Sequence, residues 1–237
     1  VNVMANGKIA MKLGDGDHLV DVTVCGPDQD VLLSTAKGKC IRFPTTGVRL
    51  FAGRASSGVR GIRLANGDSV ISMSTLKHGS FSIEERDAYL RRRRSERSDQ
   101  EENGPEVDEA SQVNEESQTV NLSDERYQEM LKLDQFILTL ASNGFGKRTS
   151  SYEYTVRNRG GQGIGNINLG SDKSNSVVAS FPVTDGDQLV LVTDNGQMIR
   201  TGIDEIRIAG RTTRGVIVFR VNDKESVVSV SRLPDVE

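Results

Sequence analysis

Apolar and polar residues alternate along much of this chain with the two-residue period of half-buried strands, and the alternation comes in copies. Residues 32–43, 137–149 and 190–201 each hold an apolar run, a turn ending in glycine (Gly38, Gly144, Gly196) and a second run with an arginine four residues after that glycine: Arg42, Arg148 and Arg200. Such a pattern predicts three hairpins. Each is followed by a polar, glycine-rich loop, residues 53–58, 158–163 and 210–215, in which Arg54, Arg159 and Arg211 share one register. Gly58, Gly163 and Gly215 close the loops and open alternating runs at 59–64, 164–169 and 216–221. Short β-branched runs come next, at 70–73, 177–181 and 227–230. A truncated copy, residues 7–13 and 19–24, opens the chain.

Gly144 and Gly196 are 52 residues apart and Gly38 and Gly144 are 106 apart, so about one period is interrupted between the first two copies. One supersecondary unit repeated at this period predicts an all-β, propeller-like array of four-stranded blades. The expected organisation is blades in residues 1–77, an insertion in 78–135 and further blades in 136–237.

The insertion reads differently from the rest. Ser82 and Glu85 have capping-box spacing and predict a short helix running into the arginines at 91–94; Ser123 is positioned to cap a second helix through about Leu133, with Tyr127, Met130 and Leu131 on one face. Residues 95–121 contain almost no large apolar side chain and are expected to be disordered.

Net charge over the whole chain is −3, but it is unevenly placed. Residues 78–135 carry 16 Asp/Glu and 8 Lys/Arg, which leaves 17 acidic and 22 basic residues in the repeats. Basic repeats point to a polyanionic partner; the insertion reads first as a solvated surface excursion without function, and alternatively as an acidic stretch that competes with that partner for the repeats. No apolar run is long enough for a membrane span, and the first residues lack a signal-peptide layout, so a cytoplasmic location and no membrane partner are expected. Cys25 and Cys40 lie in strand patterns without metal-ligand spacing and read as buried thiols. His18 and His78 are solitary, and no nucleophile–base or paired-carboxylate constellation stands out, so no catalytic or metal site is expected.

The hairpins with their glycine turns, together with residues 143–149, 59–64 and 210–216, resemble the C-terminal domain of the A-type polypeptide of bacterial DNA gyrase. The resemblance implies a β-pinwheel that wraps duplex DNA on a basic rim without reading its sequence, as a non-catalytic module, so that the holoenzyme introduces negative supercoils. It places Arg42, Lys147, Arg148 and Arg200 among the rim or hairpin cations and Arg54, Arg157, Arg159, Arg211 and Arg214 among the outer-loop cations. It implies no cofactor in this chain, with ATP and Mg belonging to the holoenzyme. As partners it implies double-stranded DNA of the bacterial chromosome, the remainder of the gyrase A-type polypeptide and the ATP-hydrolysing gyrase B-type polypeptide. The basic heptapeptide Gln-Arg-Arg-Gly-Gly-Lys-Gly that marks gyrases in their first blade is not present; the nearest string is residues 157–163, in a later blade. The chain is therefore expected to hold about three blades and part of a fourth, without the active-site tyrosine domain, and Tyr152 and Tyr154 are not expected to be nucleophiles. A C-terminal domain of the A-type polypeptide of topoisomerase IV, or a propeller used as a protein-interaction scaffold, remain alternatives.

Overall fold

The computed structural model describes residues 7–53, 56–100, 121–222 and 224–235. Its architecture is three consecutive antiparallel sheets. The first hairpin, β1 (Gln29–Thr35) and β2 (Lys39–Pro44), is flanked by β3 (Val70–Lys77) on the β1 side. Two helices follow, α1 (Ile83–Gln100) and α2 (Asp124–Leu133). The second sheet is built on the hairpin of β4 (Phe136–Ala141) and β5 (Phe145–Ser150), and a two-residue strand, β6 (Ile164–Gly165), comes before its flanking strand β7 (Val177–Val183). The third hairpin is β8 (Gln188–Thr193) and β9 (Met198–Gly202); then come the two-residue β10 (Val216–Ile217) and β11 (Val227–Leu233).

Strand order shows how the copies interlock. The sheets run β3-β1-β2-β6, β10-β5-β4-β7 and β11-β8-β9. The fourth strand of each of the first two sheets thus comes from the following copy: β6 pairs with Lys39 and Cys40, and β10 with Phe145 and Gly146. Exchange of this kind fastens adjacent blades through backbone hydrogen bonds as well as side-chain packing. Among the described residues, two blades have the expected four strands and the third has three.

Between the sheets lie the cores. Leu138, Leu140, Ala179, Val183, Leu189, Leu191, Ile203, Ile206 and Val227 form one buried cluster across the second and third blades, and Leu32, Cys40, Leu76, Ile137 and Tyr154 form another across the first and second. A polar network is buried in the same seam. Ser34 and Ser180 hydroxyls are 3.0 Å apart, the Asn166 amide donates to Ser180 at 3.2 Å, and Tyr154 donates to Asn166 Oδ1 at 2.9 Å. Mutual satisfaction of these groups avoids the cost of burying them unpaired.

Several expectations are corrected. Residues 59–64 form no ladder, and of 164–169 and 216–221 only the first two residues do. The latter two pair with the hairpin of the preceding copy, so their length as strands is set by that neighbour and not by their own alternation. The opening stretch 7–28 likewise contains no strand, although Lys12 N–H donates to Ser56 O at 3.0 Å. Helix α1 runs through residues expected to be disordered, as far as Gln100; Arg92 and Arg93 pair with Glu96 at 3.2 and 3.3 Å along the helix and support it there. The remaining acidic stretch, 101–120, lies outside the described residues.

Both helix caps form as the spacing predicts. The Ser82 hydroxyl accepts from Glu85 N–H at 3.1 Å while Glu85 accepts from Ser82 N–H at 2.8 Å, and Ser123 accepts from Arg126 N–H at 3.3 Å. The two helices are docked: Tyr89, Tyr127, Met130 and Tyr152 form a buried cluster joining both of them to the second blade. Leu131, expected on that face, is instead 36% exposed.

Candidate nucleic-acid interface

The three hairpin arginines are equivalent in sequence but not in environment. Arg42 is buried, with its Nε donating to Asp30 Oδ2 at 2.7 Å and its other nitrogens to the carbonyls of Ser151 and Lys77 at 2.8 and 2.9 Å. Arg148 is also buried; it donates to the carbonyls of Ile206 and Asp204 and pairs with Asp185 at 2.9 Å. In both cases a segment of the following copy lies across the arginine, as parallel bridges from Arg42 to Val156 and from Arg148 to Ile208 record. Arg200, in the last hairpin, has no such bridge among the described residues; it is exposed and bonded to Gln188. Arg42 and Arg148 therefore hold blades together, which overturns their expected role as surface cations.

Lys147 is corrected in the same way. Fully buried, its Nζ donates to the carbonyls of Gly210, Arg211 and Thr213 at 2.6, 2.5 and 2.9 Å. Burial pushes its pKa down to about 7, opposed by the nearby Glu153 carboxylate. Its role is to hold the loop 210–215 from beneath.

The outer loops themselves are built alike. Arg159 Nε donates to Gly47 O at 2.8 Å and its terminal nitrogen to Arg60 O at 3.1 Å. Arg211 makes the equivalent bonds one copy later, from Nε to Glu153 O at 3.2 Å and from a terminal nitrogen to Gly165 O. Each loop closes at a glycine that no other residue replaces. Gly163 has φ +71°, and a Cβ there would stand 2.5 Å from Cys40 O; Gly215 has φ +84°, and a Cβ would strike Gly146 O. Cys40 and Gly146 are equivalent positions, so the close approach is part of the repeat.

Around these fixed loops, arginines stand without counter-ions. Arg157 and Arg214 are exposed, Arg214 with its guanidinium 3.7 Å from the centre of the Phe145 ring. Among the described residues no carboxylate lies within 4 Å of Arg60, Arg63, Arg157, Arg200, Arg214 or Arg220. Arg54 lies outside the described residues. Arg60, Arg63 and Arg220 are not among the cations expected from the sequence, yet it carries a signal for two of them: Arg63 and Arg220 stand five residues beyond the loop-closing Gly58 and Gly215. Chemically, the arrangement offers forked, permanently charged donors on rigid loops, suited to phosphate oxygens.

Tyr152 and Tyr154 are core residues. Tyr152 donates to Met130 O at 2.9 Å, and burial raises the pKa of both phenols well above the ordinary value.

A family model described as the DNA gyrase C-terminal domain, beta-propeller, matches residues 4–25, 29–77, 135–184 and 187–234, passing over the two helices. The A-type polypeptide of DNA gyrase from Granulibacter bethesdensis is 48% identical over 235 residues, covering 97% of this chain and 25% of its own length; that of Escherichia coli is 32% identical over 229 residues, covering 97% and 20%. The chain thus spans about a quarter or less of the length of these relatives. Among solved structures, a DNA gyrase A C-terminal domain superposes with a TM-score of 0.65 at 23% identity, covering 97% of this chain and 59% of the other. The C-terminal domain of a DNA topoisomerase IV gives 0.66 at 17% identity, covering 94% and 52%.

Proposed function

Since this chain belongs to the DNA gyrase C-terminal domain family, we propose that it is the DNA-wrapping part of a gyrase A-type polypeptide: a non-catalytic module that binds duplex DNA without regard to sequence and bends it along the edge of the blades. The observation that carries the reading is the outer-loop repeat. Arg159 and Arg211 fix two successive loops with equivalent bonds. The arginines beside them, Arg157, Arg214, Arg63 and Arg220, have no acidic partner among the described residues.

Wrapping needs cations at regular stations rather than contacts to bases. Bending a 20–30 bp site by 40–90° costs roughly 1–6 kcal/mol, more than one surface arginine offsets, so the charge has to recur from blade to blade. Each neutralised phosphate releases counter-ions, which supplies the sequence-independent affinity. Strand passage, ATP and Mg belong to the rest of the A-type polypeptide and to the B-type polypeptide, with which this module works in the cytoplasm on chromosomal DNA.

The test is topological. Relaxed circular DNA incubated with the chain and a nicking–closing enzyme should keep residual supercoils after deproteinisation, in proportion to the bound protein. DNA that is bound but returns fully relaxed would show binding without wrapping and would overturn the proposal.

A further inference from the structure

Helix α1 carries six arginines, and the run from 91 to 97 divides into two sets. Arg92 and Arg93 face α2 and their own helix: Arg92 pairs with Asp124 at 2.8 Å and Glu96 at 3.2 Å and lies over the Tyr127 ring at 3.8 Å, while Arg93 pairs with Glu96. Arg91, Arg94 and Arg97 are spaced by three, so they follow one another along the helix, each partly exposed; Arg97, four residues after Arg93, also lines a small cavity with Arg93, Asp134 and Glu153. Arg94 has one carboxylate, Glu153, at 3.9 Å; among the described residues none lies within 4 Å of Arg91 or Arg97.

Glu153 is already committed. Its Oε2 accepts from the backbone N–H of Arg211 at 2.6 Å, and its carbonyl accepts from Arg211 Nε. One acidic side chain therefore stands among Arg94, Arg97 and Arg211, with buried Lys147 behind it. The other carboxylate near this junction, Asp134, is buried and bonded to Ser150, Ser151 and Tyr89. Burial chiefly lowers the Arg97 pKa; the neighbouring Arg93 and Arg94 charges act in the same direction, and Glu153 and Asp134 oppose them. The surplus lies where the insertion abuts the outer loop of the second blade.

We propose that α1 is a second phosphate-binding element: the Arg91, Arg94 and Arg97 set continues the outer-loop track at Arg211 and Arg214, and the duplex backbone that follows the blades also crosses the helix. Six residues of helix span about 9 Å, a length over which one DNA strand advances by roughly two to three phosphates. The helices lie outside the residues that the family model matches, so this element is an addition to the blade array, and it rests on the DNA-binding reading above. It gives the insertion the opposite sense from competition with the polyanion, because six of the eight Lys/Arg of residues 78–135 lie on α1.

The experiment measures binding of the whole chain to mixed-sequence duplexes as a function of salt. For Arg91→Ala/Arg94→Ala/Arg97→Ala, the slope of log Kd against log salt should become shallower by about 0.9 for each phosphate that the variant no longer neutralises. The triple lysine variant should keep most of the slope, because it keeps the charge. Near-ultraviolet circular dichroism reports folding, since Trp is absent and three of the four tyrosines are in the cluster at the insertion. If the alanine variant misfolds, Arg91→Glu, at one end of the set, decides: weaker binding with a shallower slope is expected. A folded alanine variant or Arg91→Glu variant that binds with unchanged affinity and slope overturns the inference. The same assay on Arg157→Ala/Arg214→Ala separates the two readings. Weakening there with none from α1 sinks the helix element alone, and a chain with no salt-dependent binding sinks both.

Discussion

Asp30 Oδ2 and Arg42 Nε are 2.7 Å apart inside the first blade, with Asp30 fully enclosed and its other oxygen 2.8 Å from His78 Nδ1. At the equivalent position the second blade has Phe136, with the Arg148 guanidinium 6.0 Å from its ring centre, and the third has Gln188, bonded to Arg200. One arginine register thus has three different partners. Asp30→Ala leaves a buried guanidinium without its charge partner, and a destabilisation of about 3–5 kcal/mol is expected. Chemical denaturation measures it; a variant within about 1 kcal/mol of the parent would show that the backbone carbonyls alone hold Arg42.

Lys147→Met should destabilise the chain by about 1–3 kcal/mol, because the carbonyls of Gly210, Arg211 and Thr213 lose their donor. The contribution of Lys147 is also pH-dependent. Its folded pKa of about 7 lies below the ordinary lysine value of 10.5, so between these values the unfolded chain binds more protons, and stability from this site rises with pH across that window. The difference in stability between parent and variant, followed from about pH 7 to 10, should grow in the parent's favour. A difference that shrinks would show that the ammonium is the form the loop favours.

Thiol labelling separates the two cysteines. Cys25, expected to be buried in a strand, is exposed because the stretch 7–28 forms no strand, whereas Cys40 is enclosed between blades and burial pushes its pKa up to about 12. One thiol should react quickly in the native chain and both after denaturation. Fast native labelling of both would mean that the seam between the first two blades opens readily.

How far the sequence can be read follows from what each feature depends on. The hairpins, the loop-closing glycines and both helix caps rest on residues a few positions apart, and all are legible. Burial of Arg42 and Arg148 is not local: it arises because residues from the next copy, around Val156 and Ile208, lie across them. Equivalence among the three arginines therefore indicates a shared register, and in the first two blades the role it marks is structural. Lys147 reads as a surface cation beside Arg148 because the three carbonyls that enclose it are more than 60 residues away. The run at 59–64 reads as a strand because alternation shows the capacity to pair but not whether a partner is adjacent. Arg157 and Arg214, expected on outer loops, are exposed there.

Arginines on the outer loops, and not the buried ones in the hairpins, are the groups that should meet DNA phosphates. The most direct test is the salt dependence of binding to two unrelated duplexes for Arg157→Ala/Arg214→Ala, whose guanidinium groups make no ion pair among the described residues. Weaker binding to both duplexes, with the slope of log Kd against log salt reduced by about 0.9 per arginine, is the predicted result. An unchanged slope on both duplexes would contradict it.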